Sequence, residues 1–242
     1  MQATQALRSL HTPQPGPPMR RNALSRLLRP KPVFALHSPY SPERRALETY
    51  VAEQFQRAYG ATITGFLPAL FSMQCQGRFS AVAGIRPALD DDLFVEKYLD
   101  EPVELALGGL APTAVSRSDI VEIGNLVSTH RGASQVFFTL HAAILHEAGF
   151  KWAVFAATDQ VEKIIRKLNF VTFSLGTADP ARLGEDAARW GRYYETKPTV
   201  LAAEVSATVE RLRQSPLSAA VITFFGDTIA ELGRSIRIRA FQ

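Results

Sequence analysis

The sequence of 242 residues has a single cysteine, Cys75. An intrachain disulfide is excluded, so packing has to hold the fold. A lone thiol in an apolar stretch reads as a small core residue rather than a nucleophile. No apolar run approaches the ~18 residues that a membrane-spanning helix needs, and the longest candidate, residues 217–225, is far too short. The first thirty residues lack a secretory hydrophobic segment, so a cytoplasmic location is the expectation. Metal-ligand spacing is missing as well. His141 and His146 are five apart, and the consecutive Asp90, Asp91 and Asp92 point in different directions. No metal is expected, and the three aspartates read as a turn and helix cap. Acid is scarce at the start. Residues 1–45 hold only Glu43 against eight basic side chains: Arg8, Arg20, Arg21, Arg26, Arg29, Lys31, Arg44 and Arg45. The remainder holds 19 basic and 22 acidic side chains.

A basic arm can touch nucleic acid, lipid headgroups or an acidic protein. Residues 1–40 carry Pro13, Pro15, Pro17 and Pro18, a composition that cannot bury enough apolar surface to order itself. They are expected to form a disordered basic leader. Nucleic-acid binding is not expected, and peripheral membrane contact stays open. The rest, with an overall 46% hydrophobic and 21% charged content, suits an ordinary globular core. The chain divides into the leader, a main domain over residues 41–205 and a C-terminal helical extension over residues 206–242.

Residues 118–170 organise the chain. Residues 120–127 predict a strand from Ile120, Val121, Ile123, Leu126 and Val127, with Gly124 marking a bulge or a close approach. Thr129, His130, Arg131, Gly132, Ala133 and Ser134 form a turn, with Ser134 as helix N-cap. Val136, Phe137, Leu140, Ala143, Ile144 and Ala148 then recur at helical spacing, and Gly149 suits a left-handed close. A second strand covers residues 152–157. Asp159 with Glu162 three residues later predicts a capping box for a second helix, whose stripe is Val161, Ile164, Ile165 and Leu168. Upstream, Ser41 as N-cap and Pro42 at the first position predict a helix to Ala58, ended by Gly60. Strands over residues 62–73 and 78–86 follow, turning at Gln76 and Gly77. Residues 93–98 read as a short helix and residues 100–109 as a loop or short strand. Strands are expected over residues 171–176 and 199–205, and helices over residues 207–213 and from Pro216 to an end at Gly233.

Strand, turn, helix, strand and helix in this order resemble the core of the GNAT acyltransferase superfamily. The phrases LFVEKYLDEPVE (residues 93–104), VEIGNLVS (121–128), LHEAGFKWAVFAAT (145–158) and DAARWGRYYETKPTVLAAEV (186–205), with AYGATITGFLPAL (58–70), are similar to the thermostable hemolysin family. VEIGN is also similar to the acidic strand motif of acyl-homoserine-lactone synthases. The resemblance implies an α/β (α+β) fold with a central mixed, mostly antiparallel sheet flanked by helices. It implies an N-acyltransferase that moves an acyl group from an acyl-CoA or acyl-carrier-protein thioester to a small amine or amino-acid-like acceptor. The family name implies an alternative, a membrane-active hemolysin. A GNAT-fold binding module without catalysis is the third reading.

GNAT chemistry needs a donor held beside a strand whose backbone N–H stabilises the oxyanion, and a base for the amine proton. The usual donor clamp is a glycine-rich turn opening a helix. Its counterpart here is Arg131, Gly132, Ala133 and Ser134, following the strand end Leu126, Val127 and Ser128, with Asn169 completing the set. Thr129 and Ser134 depart from the clamp pattern, and Arg131 can still pair with a phosphate. The degenerate turn favours a carrier-protein or medium-to-long acyl thioester over acetyl-CoA. Glu122 is the candidate base, because strand alternation sends its side chain opposite to those of Val121 and Ile123; the bland reading is an exposed strand glutamate. Asn125 is a candidate to orient substrate. Ile165 stands where GNAT enzymes carry a tyrosine acid, so Tyr193, Tyr194 or water is left for that role. Trp190, Tyr193 and Tyr194, with Arg189 and Arg192, line an acyl pocket or pack a sheet edge.

Overall fold

The computed structural model describes residues 31–89, 92–111, 113–129 and 133–240. Its strands are β1 (Val33–His37), β2 (Ala69–Cys75), β3 (Arg78–Pro87), β4 (Ile120–Ser128), β5 (Trp152–Ala157), β6 (Thr172–Thr177) and β7 (Thr199–Glu204). They form one seven-stranded sheet in the order β1-β2-β3-β4-β5-β7-β6. Only the β4–β5 pair is parallel. Helices are α1 (Arg44–Tyr59), α2 (Val103–Gly108), α3 (Ala133–Glu147), α4 (Asp159–Lys167), α5 (Val205–Gln214), α6 (Pro216–Phe224) and α7 (Gly226–Ala240). A mixed, mostly antiparallel sheet flanked by helices is the architecture expected from the sequence.

Punctuation residues place the elements. Gln76 and Gly77 take φ of 54° and 71°, the two left-handed positions of a tight hairpin turn. Gly149, at φ 93°, closes α3 with its N–H on His146 O and that of Phe150 on Leu145 O, a Schellman close. Asn169, at φ 57°, closes α4 the same way, with bonds to Arg166 O and from Phe170 to Ile165 O.

Several expectations are corrected. The expected leader mostly lies outside the described residues, but its last part is β1, which pairs with β2 at the sheet edge. α1 starts at Arg44 with Glu43 at the N-cap, not at Ser41. Ser41 instead accepts the Ser38 N–H and closes the preceding turn. β2 starts at Ala69, not residue 62, because the stretch before it bonds to loops: Thr62 N–H goes to Arg189 O. Residues 100–109 contain the helix α2, initiated after Pro102. Thr158, not Asp159, is the α4 N-cap, and no side-chain capping bond forms there. Ser134 falls inside α3 rather than at its cap. The long C-terminal helix is split at Phe225 into α6 and α7. Gly233 does not end α7. It lets the helix cross close to α3, where a Cβ would lie 2.5 Å from Glu147 Cγ. Of the aspartate run only Asp92 is described; the N-cap of the 3₁₀ turn Phe94–Tyr98 is Leu93, whose N–H is accepted by the Glu96 carboxylate at 2.6 Å.

The two sheet faces differ. One is covered by α3, α6 and α7 in a single apolar cluster that includes Phe71, Ile85, Val121, Phe137, Leu140, Ile144, Phe225 and Leu232. The other carries two clusters. Leu47, Val51, Phe55, Leu70, Val82 and Val127 lie under α1, and Leu93, Val95, Tyr98, Val103, Leu107, Trp152 and Val154 lie under α2 and the 3₁₀ segments.

Candidate active site

Between those two clusters opens a cleft of ≈ 1080 Å³. Strand geometry makes it. β4 pairs with β5 only at Ile120, Val121 and Glu122, opposite Trp152, Ala153 and Val154. Beyond Glu122 the two strands part. The parting follows from a bulge, since the β3–β4 register shifts between Val82 and Gly84. Asn125 sits in the bulge at φ 47°, a conformation that asparagine tolerates better than most side chains. Among the described residues, the backbone groups of β4 that face β5 past this point have no ladder partner, and Ile123, Leu126, Phe155 and Ala156 line the cleft.

Glu122 is on the cleft face, and it is only 2% exposed. The exposed-glutamate reading is therefore overturned. Its Oε1 accepts the Val95 N–H at 2.8 Å, and its Oε2 has no hydrogen-bond partner among the described residues. Burial pushes the carboxyl above the usual glutamate range, while the Val95 and Phe94 N–H groups and the Arg86 charge pull the other way. A carboxylate in this state holds a proton more readily than a solvated one.

Asn125 has both ends of its amide engaged. Oδ1 accepts the Leu67 N–H at 2.8 Å, and Nδ2 donates to Gly65 O at 3.1 Å. It pins the loop over residues 61–68 against the bulge. Gly84 and Gly124 make room, because a Cβ on Gly84 would meet Asn125 Oδ1 at 2.8 Å. Tyr193 also lines the cleft, in an aromatic group with Phe55, Tyr59, Trp190 and Tyr194. Burial drives its hydroxyl pKa up, so the phenol stays protonated. Tyr98 and Tyr194 join hydroxyl to hydroxyl at 2.5 Å, and burial pushes Tyr194 up to about 12. The aromatic cluster thus both packs and walls the cleft.

Glu122, Asn125, Leu126 and Tyr193 are brought together. Val127 is buried under α1. Ser128 Oγ meets Ser134 Oγ at 2.8 Å, linking the end of β4 to the first turn of α3. Ala133 is the first residue of α3. Arg131 and Gly132 lie outside the described residues. Asn169 is the left-handed residue at the end of α4, away from the cleft lining. Sequence reasoning missed three features. The strap over residues 93–99 roofs Glu122. Arg86 faces Glu122 across the β3–β4 register. Thr158, the residue after β5 and the N-cap of α4, lines the cleft together with Tyr59. Among the described residues no group of three His, Cys, Asp or Glu could hold a metal, and no helix is long and apolar enough to cross a membrane.

No curated protein matches the sequence. Among known structures, the CoA-dependent acyl-homoserine lactone synthase BjaI with SAM and isopentyl-CoA aligns at TM-score 0.52 and 12% identity, over 75% of this chain and 88% of that one. The same synthase with MTA aligns at TM-score 0.51 and 12% identity, with the same coverage of 75% and 88%. FeeM, an N-acyl amino acid synthase from uncultured soil microbes, aligns at TM-score 0.49 and 14% identity, over 78% and 99% of the two chains. At 12% identity the likeness to the two BjaI structures is one of fold. Residues 37–209 match the thermostable hemolysin family, and the chain belongs to that family.

Proposed function

We propose that the protein transfers an acyl group from a thioester, carried by CoA or an acyl-carrier protein, to the nitrogen of a small amine. The observation that carries this reading is the buried Glu122 with its free Oε2, set where β4 and β5 part. The thioester lies in the parting, with its carbonyl oxygen toward unpaired β4 N–H groups that stabilise the tetrahedral oxyanion. Glu122 takes the proton from the attacking nitrogen; its raised pKa makes it a stronger base near neutrality. The new C–N bond forms, the C–S bond breaks, and the thiolate leaves with a proton from Tyr193 or from water. Asn125 positions the loop wall rather than touching the reacting atoms. Arg131, Gly132, Ala133 and Ser134, with Leu126, Val127 and Ser128, bind the thioester donor. Asn169 acts through the end of α4. The donor is a carrier-protein or medium-to-long acyl thioester in preference to acetyl-CoA.

The test is thiol release coupled to amide formation, followed with matched donors. Glu122→Gln is expected to lower turnover by about 10²- to 10⁴-fold, with the fold intact. Unchanged turnover would remove Glu122 from the mechanism. Lysis of vesicles by purified protein that makes no amide product would favour the membrane-active reading instead.

A further inference from the structure

The cleft holds one more pair of charged groups whose arrangement selects a substrate class. Arg86 on β3 is the register partner of Glu122 on β4. Directly opposed residues of an antiparallel pair project from the same face, with Cβ atoms about 5 Å apart. Both side chains line the cleft. Their charges interact, yet among the described residues no ion pair joins them.

The other guanidinium groups lining the cleft are engaged. Arg117 binds Glu96 at 2.7 Å and Glu104 at 2.8 Å. Arg189 pairs with Asp186 at 3.7 Å. The Lys97 ammonium lies over the Phe94 ring at 5.2 Å. Arg86 makes a single bond, Nη1 to the Asp92 carbonyl at 3.3 Å, which leaves most of its five donors uncommitted. Glu122 lines the same cleft, its Oε2 buried and without a hydrogen-bond partner among the described residues. One cationic and one anionic group therefore stand side by side, each with unused capacity and neither neutralised by the other.

We propose that the acceptor is an α-amino acid, its carboxylate held by Arg86 and its amino group presented to Glu122. This rests on the acyl-transfer reading above. A guanidinium suits a carboxylate because its planar fork can make two parallel N–H···O bonds. A carboxylate so held places the amino nitrogen, one carbon away, beside the base. The side chain then points toward the Phe94 and Trp190 rings, which pack 5.5 Å apart in the cleft lining. An amine lacking the carboxylate leaves Arg86 without its partner.

The experiment pairs amino acids with their decarboxylated amines. A panel of the twenty standard amino acids, with L-phenylalanine against phenethylamine and L-leucine against isoamylamine as matched sets, is assayed for acylation. Binding without any donor is measured by calorimetry in parallel. At least one amino acid is expected to exceed its amine by about 10- to 100-fold, both in kcat/KM and in affinity. Arg86→Gln should collapse that ratio toward one, and Arg86→Lys should restore part of it. Thermal unfolding of each variant checks that the fold survives. Equal use of amine and amino acid, or a ratio that survives Arg86→Gln, overturns the assignment. Should no acceptor be acylated, the transfer reading fails while calorimetry still judges Arg86. Amino-acid binding lost in Arg86→Gln supports the site, and its absence in the unaltered protein overturns it.

Discussion

The two faces of the sheet solve opposite problems. The α3 face is one continuous apolar cluster, whereas the opposite face is cut into two with the cleft between them. Among the described residues each face buries one ionisable side chain with an unpartnered atom, His141 on the first and Glu122 on the second. His141 packs against the stacked Phe71 and Phe137 rings, 5.2 and 5.9 Å from their centroids. Its burial drives the pKa down to about 3, so it is held neutral as a core side chain. Glu122 is pushed the other way, yet backbone donors and Arg86 temper the shift, leaving a group that can still exchange a proton. Continuity of packing makes the first face a foundation. Interruption of packing makes the second face a site.

The largest expected effect breaks the foundation. Phe137→Ala removes a fully buried ring and should cost about 3–5 kcal/mol of stability, measured by denaturant unfolding. An equal loss from truncating a cleft aromatic such as Trp190 would erase the distinction between the faces.

A second effect is a slope with pH. Burial holds the His141 imidazole down to about 3, against ~6.5 for a solvated histidine. The unfolded chain therefore binds this proton first as pH falls. The neutral ring favours folding above pH ~6.5, and that stability is lost at about 1.4 kcal/mol per pH unit below it. His141→Phe should flatten the stability curve between pH 6.5 and 4.5 relative to the unaltered protein. Identical slopes would mean that the ring is not held neutral.

How far the sequence showed this division depends on whether the cause is local. β4, α3, β5 and α4 were legible within a residue or two, because alternation, helical spacing and Gly149 act within each segment. Glu122 was legible as a residue turned away from Val121 and Ile123. Its burial was not, because the roof comes from Phe94 and Val95, some 27 residues away in sequence. Thr62, Ile63 and Thr64 read as strand by composition, yet the loop they open is tied down by Asn125 and Arg189 from distant segments. β1 was hidden because a short strand beside Pro32 is defined only by its partner β2. Gly124 carried the local signal of a bulge, and Asn125 reads from the sequence as orienting substrate; the bonds of its amide to Leu67 and Gly65 come from a segment some 60 residues away and left no local signal.

A smaller effect sharpens the cleft side. Gly84→Ala forces a Cβ to 2.8 Å from Asn125 Oδ1 and 2.9 Å from Leu67 Cβ. It should cost about 1–3 kcal/mol and raise KM by displacing the pinned loop. Hydrogen exchange of the Leu67 amide reads that displacement. The smallest effect lies away from both faces. The exposed Lys151 pairs with Asp119 at 3.0 Å, and Lys151→Ala should change stability by less than about 1 kcal/mol without altering turnover.

The most direct test is the pH dependence of kcat/KM for acyl transfer, with Glu122→Gln run beside the unaltered protein. Transfer by the unaltered protein should fall as Glu122 gains its proton, with an acid limb above the ~4.3 of an ordinary glutamate. Glu122→Gln should be slow throughout and lack that limb. Because the folded-state carboxyl has a raised pKa, the ionised side chain weakens folding above its unfolded pKa. The variant should therefore be at least as stable at neutral pH. A variant that keeps full turnover and the same acid limb would contradict the account.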